Sequence, residues 1–139
     1  MKQTRDVLPG IREAIQAFVI PTVATRMLQL ADARTEKAHR KLTLMLAHFE
    51  SFKPECVYRP ATDADFARRA AQLTDRHVDA LWDVLSEMPS VDGRSVTLDE
   101  LSRTTYAQGF GTLAAIPGAR CAYFQGEEQN SLVLLSRPE

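Results

Sequence analysis

The sequence predicts an α+β protein that is mainly α, in which long amphipathic N-terminal helices pack with a C-terminal module that ends in a β-hairpin. Apolar residues recur every three or four positions through much of residues 8–88, as in amphipathic helices. The segments "RCAYFQ" and "SLVLLS" are rich in strand formers and flank the polar tip "GEEQN". A chain of 139 residues with 45% hydrophobic and 25% charged residues is typical of a single globular domain, residues 1–139.

A basic helical layer is predicted over residues 1–53. Three apolar residues follow Leu8 at helical spacing, so a helix begins near that position. Pro21 lacks a backbone N–H and clashes with the preceding turn, so the pattern beyond it belongs either to a second helix or to the far side of a kink. We favour a kink or a tight break at Ile20–Pro21.

A single long helix with a solvated middle is predicted from Val23 to Phe52. Residues 31–41 keep strong helix formers, but alanine is their only apolar side chain, and larger apolar residues return from Leu42 onward. Residues 53–63 contain two prolines and are predicted to form a surface connector.

A central helix is predicted over residues 62–89. Thr62 and Asp65 have the spacing of a capping box, and an apolar stripe then runs from Phe66 to Met88 in steps of three and four. Pro89 ends this helix.

Residues 90–139 are predicted to hold two short helices and the hairpin. Thr97 and Glu100 repeat the Thr-x-x-Glu cap and open a helix that reaches about Tyr106. A shorter helical turn is expected over residues 110–116. Because an isolated hairpin is marginal in water, one of its faces should pack on the helices, either that of Cys121, Tyr123, Leu132 and Leu134 or the alternate one.

This order of elements resembles a winged helix over about the last 60 residues. Within that superfamily it is similar to LOTUS-type modules, in which an "LxxL" helix, a tyrosine, a Phe-Gly pair and an "LxxIP" turn precede the hairpin; the chain has Leu98–Leu101, Tyr106, Phe110-Gly111 and Leu113–Pro117. The resemblance implies a module that binds another macromolecule. The sequence departs from the pattern at Phe110–Ile116, where the recognition helix is short and carries no Lys or Arg.

Positive charge is concentrated in the first third of a chain whose net charge is −1. Lys and Arg outnumber Asp and Glu by nine to five in residues 1–53, whereas the acidic residues are in excess over 54–89 and 90–139. The sequence therefore predicts that nucleic acid or another polyanion contacts the basic stretch, with flanking arginines from the winged-helix-like module. These candidates are Arg26, Arg34, Lys37, Arg40, Lys41, Arg103 and Arg120.

A protein partner is predicted to contact a different set of residues. Trp82 lies at helical spacing with Val78 and Leu85 on the predicted central helix, which indicates a core or dimer-interface position, and Glu127 and Glu128 form an acidic hairpin tip that would repel phosphate. Much apolar helix surface in a short chain also predicts a homodimer.

Metal binding and catalysis are not expected. Glu36 and His39 have the ExxH spacing of di-iron bundles, but such a site needs a second copy that the chain lacks. His77 is interpreted as a core or interface histidine, and Cys56 and Cys121 as reduced thiols. The sequence has no GxSxG and no glycine-rich phosphate loop, so no cofactor and no enzymatic activity is predicted.

The sequence thus favours a non-enzymatic regulatory or adaptor protein that binds another macromolecule, with nucleic acid as one candidate. A protein-only interaction or inhibitor module and a small metal-binding or enzymatic helical protein are the two alternatives. The longest apolar run is too short to cross a bilayer and no signal peptide is recognised, which predicts a cytoplasmic protein without membrane contact.

Overall fold

An antiparallel sheet of six strands forms the centre of the protein. The computed structural model describes residues 7–60, 62–74, 81–104, 110–118, 121–127 and 132–136. The helices are α1 (Pro9–Phe18), α2 (Pro21–Ala33), α3 (Glu36–Met45), α4 (Asp63–Thr74) and α5 (Leu98–Thr104), with a 3₁₀ turn at Pro54–Cys56. The strands are β1 (Val57–Tyr58), β2 (Trp82–Ser86), β3 (Ser95–Val96), β4 (Thr112–Ala115), β5 (Cys121–Gln125) and β6 (Val133–Ser136).

Helices cover both faces of this sheet, whose strand order is β1-β6-β5-β4-β2-β3. On one face Ile11, Ile15 and Leu42 from α1 and α3 pack against alternate strand residues such as Leu113 and Phe124. On the other face Phe66 of α4 and Leu101 of α5 pack with Trp82, Tyr123 and Leu134. Strands β2, β4 and β5 are consequently buried along their whole length.

The predicted fold class, mainly α with a winged-helix-like C-terminal module, is wrong. Within the described part of the predicted central helix over residues 62–89, Asp63–Thr74 is helix α4, but Trp82–Ser86 is strand β2. The turn expected over residues 110–116, which would have served as the recognition helix, contains strand β4. Both strands pair with each other in antiparallel register, from Asp83↔Ala115 to Ser86↔Thr112.

Burial on both faces explains this error. A strand covered on one face alternates between apolar and polar residues, whereas one covered on both faces reads as a continuous apolar run. The runs "WDVLS" and "TLAA" are too short for their periodicity to distinguish a strand from a buried helical turn. The helical spacing of Leu81, Val84 and Met88 is therefore a coincidence.

The single long helix predicted from Val23 to Phe52 is a helical hairpin. α2 ends where Arg34 adopts a left-handed conformation (φ 55°, ψ 27°), and Thr35 then caps α3 by accepting a 3.1 Å hydrogen bond from the Ala38 N–H. The polar middle of the predicted helix thus contains a break at Arg34 and Thr35, where one helix ends and the next begins.

Three local predictions are confirmed. α1 ends at Phe18 and α2 begins at Pro21, which is the break predicted at Ile20–Pro21. The Thr97 side chain accepts a 3.2 Å hydrogen bond from the Glu100 N–H at the start of α5. The segments around the polar tip pair as β5 and β6, with Cys121 opposite Ser136, although they are inner strands of a larger sheet.

A buried carboxylate on β2 attaches α1 to the sheet. Asp83 is 4% exposed, and it accepts hydrogen bonds from the Gly10 N–H (2.8 Å) and the Ser95 hydroxyl (2.7 Å). The first bond satisfies a free donor at the N-terminus of α1, where the helix dipole also favours negative charge. A Cβ at Gly10 would lie 2.7 Å from the Ala115 carbonyl oxygen, so only glycine allows this close approach.

Substitution of Asp83 by alanine tests this attachment. We expect Asp83→Ala to lower the free energy of unfolding by about 3 kcal/mol, because two hydrogen bonds to a buried charged group are lost and the buried Gly10 N–H is left without its acceptor. Chemical denaturation measures the change. Asp99→Ala, which removes an exposed carboxylate from α5, is the control and should change stability by less than about 0.5 kcal/mol. A change below about 1 kcal/mol for Asp83→Ala would contradict the role given to this residue.

Candidate functional site

A cleft lies at the end of the sheet where β2 and β5 end and β4 and β6 begin. Antiparallel pairing brings these four strand ends to the same end of the sheet. Residues 46–53, which follow α3, cross this end of the sheet and form one wall of the cleft. The Glu127 N–H beyond β5 donates a 2.8 Å hydrogen bond to the Ala47 carbonyl and holds this segment in place.

Gly111 allows residues 46–53 to approach β4 closely. A Cβ at Gly111 would lie 2.8 Å from the Leu46 carbonyl carbon and 2.9 Å from the Ala47 nitrogen. Gly111 also binds Glu87 twice: its N–H donates to the Glu87 carboxylate (2.8 Å), and its carbonyl accepts from the Glu87 N–H (2.9 Å). The position of the Glu87 carboxylate is therefore set by the backbone at the start of β4.

The opposite end of this segment is attached to the junction between α1 and α2. Phe52 forms an antiparallel bridge with Val19. The Lys53 N–H donates to the Phe18 carbonyl (2.7 Å), and the Ile20 N–H donates to the Ser51 carbonyl (2.9 Å). The wall of the cleft is therefore fixed by backbone hydrogen bonds at both ends.

The cleft has a volume of about 500 Å³ and an aromatic floor. Phe52 lies edge-on to Phe49 (ring centroids 4.8 Å apart) and to Phe124 (5.0 Å). Phe52 and Phe124 are buried, whereas Phe49 is half-buried. This volume lies within the usual range for small-molecule sites, and an apolar floor with a few polar groups is their usual composition. The other lining residues include His48, Glu50, Pro54, Val57, Arg59, Gly126 and Val133.

Ionisable side chains of both signs lie beside the cleft. His48 Nε2 is 3.6 Å from a Glu127 carboxylate oxygen, with both side chains substantially exposed. Burial raises the pKa of Glu87 above its usual 4.5, and Glu127 raises it further, against the opposing effects of the Gly111 N–H and His48. Glu127 and His48 are therefore both close enough to Glu87 to affect the pKa of its carboxyl group.

An exposed basic stripe runs along α3 towards this cleft. We define the α3 stripe as Lys37, Arg40, Lys41, Leu44 and His48, which follow each other at helical spacing and are all exposed. The buried face of α3 carries Ala38, His39 and Leu42 instead. His48 belongs both to the stripe and to the cleft lining, so the two features are continuous.

The remaining basic candidates lie in different places. Arg26 on α2 and Arg34 at the α2–α3 turn are exposed on the same helical hairpin as the stripe. Arg103 lies on α5, which packs on the opposite face of the sheet, and it pairs with Asp99 at 2.8 Å. Arg120 lies outside the described residues. The structure thus brings the N-terminal candidates together and separates Arg103 from them.

The partner-interface candidates are also divided. Trp82 is only 1% exposed and packs in the core with Phe66 and Leu101. The prediction that Trp82 contacts a partner is therefore wrong. The reason is that Trp82 lies on an inner strand covered by α4 and α5. Glu127 is exposed at the cleft, and Glu128 lies outside the described residues.

His39 makes a structural contact. Its Nε2 is 2.6 Å from a buried Asp92 carboxylate oxygen, and the other Asp92 oxygen accepts a 3.0 Å hydrogen bond from the Ser86 N–H. This pair joins α3 to the turn between β2 and β3. No group of three His, Cys, Asp or Glu side chains suited to a metal ion occurs among the described residues, which exclude His77.

The two cysteines are buried, and neither is in a disulfide. Burial raises the pKa of the Cys121 thiol to about 11. A thiol that stays protonated near neutral pH is a poor nucleophile.

The cleft itself was not found from the sequence. Phe49 and Phe52 were interpreted as the apolar stripe of a long helix, and Phe124 as part of a hairpin. The end of α3 and the strand β5 are far apart in the chain, and only the sheet topology brings them together. The next helix-breaking residue, Pro54, lies nine residues beyond the end of α3 at Met45, so no breaker in the sequence marks that end.

Comparison with protein-family models, with curated proteins and with solved structures gave no match. No helix within the described ranges has the length and apolar character needed to cross a membrane. The winged-helix resemblance therefore gains no support from known proteins, and the segment that was to provide its recognition helix contains a strand.

The raised pKa of Glu87 predicts a pH-dependent effect of Glu87→Gln. A carboxyl group with a raised folded-state pKa contributes stability that is complete below pH 4.5 and is lost as the pH rises through the folded-state value. Glutamine keeps an acceptor for the Gly111 N–H without the charge. We therefore expect Glu87→Gln to be more stable than the wild-type protein at pH 7 and to lose this advantage towards pH 4.5.

Denaturation of both proteins between pH 4 and pH 8 measures the difference. In a Glu127→Gln background the difference at pH 7 should be smaller, because one of the charges that raise the pKa of Glu87 is absent. A stability difference that does not vary with pH would contradict the environment described for Glu87.

Proposed function

We propose that the protein is a regulatory or adaptor protein that binds nucleic acid through the α3 stripe. The observation that carries the proposal is the set of three basic side chains on one exposed helix face. Lys37, Arg40 and Lys41 are exposed, and none of them makes a salt bridge with the described residues. Exposed basic side chains that are not engaged in salt bridges are available to neutralise phosphates.

The spacing of these charges suits a phosphate backbone. Lys37 and Lys41 are one turn apart, which separates them by about 6 Å along the helix axis. Arg40 lies beside Lys41 on the same face and supplies the planar donor group that pairs well with phosphate. Arg26 and Arg34 extend the positive surface onto α2.

The distribution of charge also favours this face. Residues 1–53 carry nine Lys and Arg against five Asp and Glu, although the whole chain is slightly acidic. Arg12 and Asp32 pair with each other at 2.6 Å on the α1–α2 surface, which removes one charge of each sign and leaves the positive surplus unchanged. An anionic ligand is therefore attracted to the helical hairpin rather than to the α4 and α5 face.

The affinity for an oligonucleotide should decrease as the salt concentration rises. This salt dependence should become weaker when basic residues of the α3 stripe are replaced. For a labelled single-stranded oligonucleotide, each lost phosphate contact lowers the slope of log K against log salt by about 0.7. We expect Arg40→Gln with Lys41→Gln to reduce that slope by about 1.4. Fluorescence anisotropy over a salt series measures it.

A matched control removes the same charge from the other face. Arg68→Gln with Arg103→Gln also lowers the net charge by two, but both residues lie on α4 and α5 and pair with acidic neighbours. This control should keep the wild-type slope. Equal effects of the two double variants would show that only net charge matters and would contradict a stripe on α3.

A protein partner is the second candidate, and Leu44 is the observation that favours it. Leu44 is 57% exposed in the middle of the basic stripe, where an apolar group adds nothing to phosphate binding. If the stripe binds a protein, oligonucleotide binding should not be saturable. The interaction with the protein partner should then be abolished by Leu44→Ser. The homodimer stays a prediction, which sedimentation analysis tests directly.

A further inference from the structure

We propose that the cleft beside the α3 stripe holds one unpaired base of a single-stranded nucleic acid whose phosphates lie along the stripe. This inference rests on the proposed function and narrows its ligand to single strands. A base inside a duplex is stacked and paired, so only a single strand can place a base in a cleft.

The floor of the cleft has the chemistry that base stacking needs. Phe49 lines the cleft and is half-buried, and Phe52 and Phe124 support it from below at centroid distances of 4.8 Å and 6.1 Å. An aromatic side chain held by packing is a pre-ordered stacking surface, because little side-chain entropy is lost on binding. The aromatic cluster thus offers one partly open ring on a rigid base.

The rim of the cleft carries charges of both signs, with Glu127 beside His48 as an acidic group that repels phosphate, so it suits a polar ligand whose phosphates lie outside the cleft better than an apolar ligand. A nucleic-acid strand that follows α3 reaches His48 three residues beyond the end of the helix at Met45, at the point where the stripe meets the cleft. Arg59 lies on the same rim, in the segment after β1, and can bind the next phosphate. The exposed Glu50 carboxylate on the rim accepts hydrogen bonds only, as the amino groups of bases require.

The walls of the cleft are held in place without a ligand. The Lys53 N–H to Phe18 carbonyl bond and the Glu127 N–H to Ala47 carbonyl bond hold residues 46–53 at both ends. Gly111 keeps the segment against β4. Binding of a base therefore needs no large rearrangement of the backbone, which limits its entropic cost.

An abasic strand separates base binding from phosphate binding. The probes are an eight-nucleotide single-stranded DNA and an oligomer of the same length in which tetrahydrofuran residues replace every nucleoside. Both carry the same phosphates. We expect the full-length wild-type protein to bind the intact strand about tenfold or more tightly than the abasic one, as one base stacked on an aromatic ring typically gives.

Substitution of Phe49 locates the effect in the cleft. Phe49→Leu should weaken binding of the intact strand about tenfold and leave binding of the abasic strand unchanged, because leucine keeps the apolar contact but not the ring face. Leu81→Ala, which alters an exposed apolar residue at the opposite end of β2, is the control and should change neither affinity. Phe49→Trp should bind the intact strand as tightly as the wild-type protein does, because tryptophan keeps an aromatic ring at this position. Stacking of the base should then quench the fluorescence of the introduced indole.

The outcomes distinguish this inference from the proposed function. Equal affinity for the intact and the abasic strand would overturn the base site and leave the stripe as a polyanion site. Loss of affinity for both strands in a folded Phe49→Leu variant would also overturn it, since Phe49 would then support the fold of the site only. Absence of binding to either strand would overturn both proposals.

Discussion

The hydrogen bond between the Asp83 carboxylate and the Gly10 N–H is the contact on which the arrangement of the site depends. It fixes the start of α1 over β2 and β4, where the absence of a side chain at Gly10 allows the helix to approach the Ala115 carbonyl. The direction of α1 then places Phe18 and Val19 beside residues 51–53, which pair with them through the backbone. That pairing forms the wall of the cleft, so a carboxylate at one end of the sheet helps to determine the geometry at the other.

Helices cover both faces of the inner strands, and this limits where a ligand can bind. The strands β2, β4 and β5 are buried throughout, so in the described part of the chain a ligand can reach the outer helix faces, the edge strands and the ends of the sheet. The α3 stripe is one of these faces, and the cleft lies at one of these ends. A binding site at a strand end, on segments positioned by a rigid sheet, is a common solution, because such segments can vary without disturbing the core.

Predictions from local sequence signals are correct where the structure depends on neighbouring residues. Pro21 marked the start of α2, Thr97 marked the cap of α5, and the residues around the polar tip marked β5 and β6. The same reasoning failed at Trp82 and Leu113, because a strand between two helical layers lacks the alternation that identifies a strand. For the site, the charges of Lys37, Arg40 and Lys41 were visible in the sequence. The contact of Phe52 with Phe124 was not, because it depends on the strand order.

Photo-crosslinking is the most direct measurement of where a ligand lies. A single-stranded oligonucleotide with one photoreactive base, bound to the full-length protein at low salt and irradiated, should attach to residues 46–59, with Phe49 as the main site. The backbone of that strand should protect Lys37 and Lys41 from acetylation. Crosslinks that fall mainly on α4 or α5, with no protection of α3, would contradict the account.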